Sequence, residues 1–147
     1  MVAVRKILVP IDGSPNSYRA LEYAGYLAER CDASIDLLYV VNLSSTVAAF
    51  SDPSGGVCVP EGVIDDFKEI GQESVNKAVA MLPAGIAARG VVEVGVPTEV
   101  IVSFAIEQGY DLIVIGSRGL GSIAQLVLGS VSSYVLQRAR CPVMIIR

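Results

Sequence analysis

Apolar residues fall into two alternating patterns along this chain, short continuous runs and longer stretches with a helical repeat. The runs lie within Arg5–Pro10, Ser34–Val41, Val91–Val94, Asp111–Ile115 and Pro142–Ile146. Each is short, β-branched and bounded by turn residues, as buried strands are. Between them apolar residues recur every three or four positions, the spacing of an amphipathic helix. Ser14 as N-cap and Pro15 at the first helical position open the first helix, with Tyr18, Leu21, Ala24 and Ala28 on its inner face. Val63, Phe67, Ile70, Val75, Val79 and Leu82 carry a second helix to its stop at Pro83. Pro97 opens a third, with Val100, Ile101, Phe104 and Ala105 inward and Gly109 closing it, and Val131–Leu136 reads as a fourth. The nineteen residues from Asn42 to Pro60 are Ser, Gly, Pro and small apolar types. So long a connection is expected to be a disordered loop, with a mobile lid as the alternative.

Strands alternating with helices predict an α/β fold, a doubly wound five-stranded parallel sheet with helices on both faces. The 147 residues carry no internal repeat and no linker, and residues 1–147 are expected to form a single domain. In such sheets ligands lie beyond the carboxyl ends of the strands, where the strand order reverses. Asp12, Val41 and Gly116 all stand at such ends.

Composition narrows the function. The chain is 52% hydrophobic with mean hydropathy +0.57, yet no apolar run reaches the ~20 residues of a membrane helix. Without a signal peptide or span, no membrane partner and a cytoplasmic location are expected. Three separated cysteines (Cys31, Cys58, Cys141) and no histidine exclude a structural zinc site and a Ser-His or Cys-His nucleophile. The net charge of −4 argues against nucleic acid. Every acidic residue lies at or before Asp111, whereas Arg118, Arg138, Arg140 and Arg147 follow it. That positive final third suits a small anion.

The strand 111–115 runs into Gly116-Ser117-Arg118-Gly119 and, nine residues on, Gly129-Ser130 before a helix. Glycines let backbone N–H groups approach an anion, and the first turn of a helix supplies unpaired donors. Ser130, Ser132 and Ser133 add hydroxyl donors, and Arg118 a positive charge. The pattern therefore reads as a phosphate site. It is no P-loop, because Gly-Lys-Ser/Thr is absent, and no dinucleotide fingerprint or flavodoxin loop, which would follow the first strand. A receiver domain would need acids and a late lysine that are missing. With Ser14 capping the helix, Asp12 is free to face the crevice and meet a ribose or a metal. Val41 is expected to read an adenine edge through its backbone, its side chain being core.

Ile7-Leu8-Val9-Pro10-Ile11-Asp12-Gly13-Ser14, the Gly116-x2-Gly119-x9-Gly129-Ser130 spacing and Cys141-Pro142-Val143 resemble the universal stress proteins along the whole chain, in their nucleotide-binding branch. The resemblance implies an adenine nucleotide α-hydrolase-like, Rossmann-like sheet of order 3-2-1-4-5. It implies adenine and ribose near Pro10, Ile11, Asp12 and Val41. Phosphates are then expected against Gly116, Arg118, Gly119, Gly129, Ser130 and Ser132, with Ile115 and Val131 in the same binding set. The implied cofactor is ATP, ADP or AMP, with Mg²⁺ or Mn²⁺ bound through the phosphates. A homodimer through the last strand, Val143, Met144, Ile145 and Ile146, is implied as well. The expected role is a nucleotide-dependent regulatory module in stress response; the alternative is a slow ATPase or phosphoryl-transfer enzyme.

Overall fold

The computed structural model describes residues 1–118 and 128–147. Five strands, β1 (Lys6–Ile11), β2 (Ser34–Asn42), β3 (Ala88–Gly95), β4 (Leu112–Gly116) and β5 (Val143–Ile146), form one parallel sheet in the order β3-β2-β1-β4-β5. The helices are α1 (Pro15–Cys31), α2 (Leu43–Ala49), α3 (Val63–Met81), α4 (Pro97–Gln108) and α5 (Ser130–Arg138).

Side chains alternate across the sheet, which decides where the helices go. Ile7, Val9 and Ile11 of β1 join Ile35 and Leu37 of β2 against α1 and α3, meeting Leu21, Ala24, Val75 and Ala78. Leu8 and Leu38 point the other way, against Ile101 and Ala105 of α4 and Val135 of α5. Both faces are apolar, so the strands read as continuous hydrophobic runs.

Two expectations change. Phe67 and Ile70 do not carry the inner face of α3; they are exposed, and Gly71, Val75 and Ala78 are buried instead. Gly71 is required there, because a Cβ would fall 2.6 Å from the Tyr39 ring. Residues 42–60 are not one disordered loop either. Asn42 Oδ1 accepts the Ser45 N–H at 3.1 Å and caps α2. A tight turn follows, in which Asp52 Oδ1 accepts from the N–H groups of Ser54 and Gly56, with Ser51 and Val57 bridged antiparallel.

β1 and β4 diverge toward their carboxyl ends. Their register pairs are Ile7 with Leu112 and Leu8 with Ile113, although β1 runs on to Ile11 and β4 to Gly116. The Asp111 N–H donates to the Lys6 carbonyl, so even-numbered residues of β1 face β4. Pro10 is one of them and has no N–H to offer. The sheet opens at this point, where the strand order reverses.

Candidate functional site

The opening is the mouth of a cleft of about 700 Å³, within the roughly 300–1,000 Å³ usual for small-molecule sites. Pro10, Ile11 and Asp12 line it from β1, and Val41 from β2. Ile115, Gly116 and Arg118 line it from β4, and Gly129, Ser130, Val131 and Ser132 from α5. These are the expected residues apart from Gly119, which lies outside the described residues. Ser133 is not among the lining residues. Asp12 and Arg118 are the charged side chains among the described lining residues.

Local chemistry explains how each wall is held. At α1, Ser14 Oγ accepts the Ser17 N–H at 3.2 Å. Asp12 is not left wholly free by that cap. Its Oδ1 accepts the Ser14 N–H at 2.9 Å, so one carboxylate oxygen closes the turn while the residue borders the cleft. Gly116 presses on the first turn of α1; a Cβ there would stand 2.9 Å from the backbone carbon of Asn16. α5 follows Gly129, which has no side chain to cap it, so among the described residues no N-cap side chain meets the first-turn N–H groups.

Two expected roles move by one step. Ser34 N–H donates to Arg5 of β1 and Ile35 N–H to Ala87 on the β3 side, so the backbone groups of β2 alternate between neighbours. Val41 therefore turns its backbone to β3, in register with Val94. Val40 and Asn42 face the side of β1, whose pairing ends at Ile11 with Tyr39. Val40 and Asn42, not Val41, thus turn backbone groups toward the open side of the sheet, while the Val41 side chain is 3% exposed. Ser132 is likewise turned away from a phosphate role: its hydroxyl donates to the Ser117 carbonyl at 2.8 Å.

Reading the sequence missed part of the lining. Tyr39, Asn42, Thr46 and Ala49, with Phe67 of α3, also line the cleft. The available signal was Asn42 followed by a run free of Gly and Pro from Leu43 to Phe50, an N-cap and a short helix. Burial raises the Tyr39 phenol above its ordinary value of 10.0, and the nearby Asp12 carboxylate adds to this, so the phenol stays a neutral donor at physiological pH.

The model of the universal stress protein family matches residues 3–147. The chain belongs to the universal stress protein family. Universal stress protein YxiE of Bacillus subtilis is 37% identical over 147 residues, covering 97% of this chain and 98% of the relative. The solved universal stress protein UspA from Lactobacillus plantarum superposes with a TM-score of 0.76 at 26% identity, covering 100% of both chains. A universal stress protein crystallised in complex with cAMP superposes at 0.68 with 26% identity, over 99% of this chain and 98% of that one. The universal stress protein fold thus accounts for the sheet order. No described helix is long and apolar enough to cross a membrane.

Proposed function

We propose that this chain is an adenine-nucleotide-binding regulatory module whose ligand occupies the cleft at the carboxyl ends of β1, β2 and β4. The observation that carries the reading is convergence: strand ends far apart in sequence meet the first turn of α5 around one cleft of suitable size. A similar protein solved with cAMP supports an adenine ligand. The base lies between the apolar walls with its edge toward Val40 and Asn42, and the ribose lies near Asp12. The phosphates run to Gly116, Arg118, Gly129 and Ser130, with Gly119 in the same set.

ATP is the proposed resident. A divalent cation fits only as a passenger of the phosphates. Asp12 is the one carboxylate among the described lining residues, and no cluster of acids, cysteines or histidines able to hold a metal occurs among the described residues. The same scarcity disfavours turnover, since phosphoryl transfer calls for positioned cations and a group to orient the nucleophile. The module works as a dimer paired through β5.

A thermal melt with ATP, ADP, AMP and cAMP, each with and without Mg²⁺, tests the reading. A ligand at 100 times its dissociation constant adds about 2.7 kcal/mol, a readily measured shift. The expected order puts ATP with Mg²⁺ above AMP. Absence of any shift with ligand-free protein overturns the proposal.

A further inference from the structure

The Ser132 hydroxyl is 2.8 Å from the Ser117 carbonyl and 3.1 Å from the Gly129 carbonyl, and the residue is only 2% exposed. A hydroxyl has one proton to give, and the shorter, buried bond takes it. The Gly129 N–H donates to the same Ser117 carbonyl at 2.7 Å. Both lone pairs of that carbonyl are therefore used by α5.

Ser117 is itself anchored on two further sides. Its N–H donates to the Ile146 carbonyl of β5 at 2.7 Å, and its Oγ accepts from the Asn16 side-chain amide of α1 at 3.4 Å. Ser117 stands at 4% exposure, so its bonds are shielded from solvent competition.

We infer that Ser132 is a positioning residue: by tying the start of α5 to Ser117, its hydroxyl sets where the first-turn N–H groups of α5 stand relative to Gly116 and Arg118. This deepens the nucleotide reading and rests on it. Hydrogen-bond donors give their full benefit to an anion only when held in place beforehand. With the tie removed, Gly129 N–H alone latches α5 to Ser117, and part of the phosphate's binding energy goes into ordering the turn. The base and ribose end, held by β1 and β2, does not depend on the tie.

Isothermal titration with adenosine, AMP and ATP–Mg²⁺ tests this on wild type, Ser132→Ala and Ser132→Thr. The expected result is that the ratio of AMP to adenosine affinity falls roughly fivefold to tenfold in Ser132→Ala, about one hydrogen bond's worth, and returns in Ser132→Thr. ATP follows AMP. Equal weakening of adenosine and AMP overturns the inference, because a merely structural serine acts on both. A ratio kept within about twofold overturns it too, while leaving the nucleotide reading intact. If wild type binds none of the three, the nucleotide reading itself fails. Should Ser132→Ala not fold, Ser132→Cys fills the same space with a weak donor and is expected to show the same fall in ratio.

Discussion

At the scale of single residues, two glycines do different work although both border the cleft. Gly116 has a backbone neighbour: the Cβ of an alanine would press on the carbonyl carbon of Asn16, which no side-chain rotation relieves. Gly116→Ala is expected to destabilise the fold by about 1–3 kcal/mol in urea denaturation, with nucleotide affinity reduced as well. Gly129 sits at φ −63, open to any residue, and its Cβ would lie 3.2 Å from the Ser117 carbonyl oxygen. Gly129→Val therefore strains the α5 junction and crowds the cleft more than it harms the core. The ATP-induced melting shift is expected to vanish while the ligand-free midpoint moves only a few degrees. Retention of the full shift would contradict phosphate binding at α5. Both glycines were visible in the sequence as motif residues. The difference between them was not, since it depends on which backbone each meets after folding. The direction of the Ser132 hydroxyl was hidden for the same reason: its acceptor, Ser117, is placed by tertiary packing.

At the scale of elements, the end of the sheet opposite the cleft is pinned by a charge cluster. Asp36 of β2 is buried, and its carboxylate accepts from Arg89 Nε at 2.9 Å and Nη2 at 3.0 Å, and from the Tyr110 hydroxyl at 2.6 Å. Lys6 Nζ lies 4.0 Å away, so β1, β2, β3 and the start of β4 meet on one carboxylate. Burial alone would raise the Asp36 pKa. The Arg89 and Tyr110 hydrogen bonds and the Arg89 and Lys6 charges outweigh it and hold it below the ordinary 3.8. A carboxylate depressed on folding stabilises above its unfolded value, and that stability is lost as pH falls through the folded value. Tyr110→Phe is expected to cost about 1.5–3 kcal/mol at pH 7, the worth of a bond to a charged group. The gap between variant and wild type should narrow below pH 4, as measured by urea denaturation across pH. A gap independent of pH would mean that ring packing, not the bond, matters. This cluster explains why β3 begins at Ala88, before the apolar run that announced it: Arg89 is polar in sequence and paired in space. α2 was lost among Ser, Gly and Pro residues for a related reason, because seven residues carry too little periodicity to stand out. Its capping bond is testable. Asn42→Ala should cost about 1 kcal/mol and speed amide exchange through Leu43–Ala49, leaving the core strands protected.

At the scale of the whole molecule, the alternation of buried runs and amphipathic stretches made a doubly wound parallel sheet legible, while the order β3-β2-β1-β4-β5 was legible only through the resemblance to the universal stress proteins. That order also leaves β5 at an edge. Ile113 N–H donates to the Pro142 carbonyl and Ser117 N–H to that of Ile146, so residues 142, 144 and 146 turn their backbones to β4. Val143 and Ile145 turn theirs outward. An apolar edge strand whose outward N–H and C=O groups meet no partner strand among the described residues is a template for another copy of itself, and the proposed dimer uses it. Backbone pairing makes a distinctive prediction. Ile145→Pro removes one outward N–H without taking a bond from β4, which an edge position tolerates. Ile145→Ala loses the same packing against the α4 and α5 layer but keeps the N–H. Sedimentation velocity is expected to find wild type and Ile145→Ala dimeric and Ile145→Pro monomeric, with cooperative melts for all three. Dimers in all three would move the interface elsewhere, and a monomeric wild type would remove it. Because Ile146 also holds Ser117, an interface at β5 lies one hydrogen bond from the junction that anchors α5. If the dimer forms there, nucleotide should shift the dimerisation constant of wild type, and the dimerisation constant should be less responsive to nucleotide in Ser132→Ala, where α5 is held to Ser117 by a single bond.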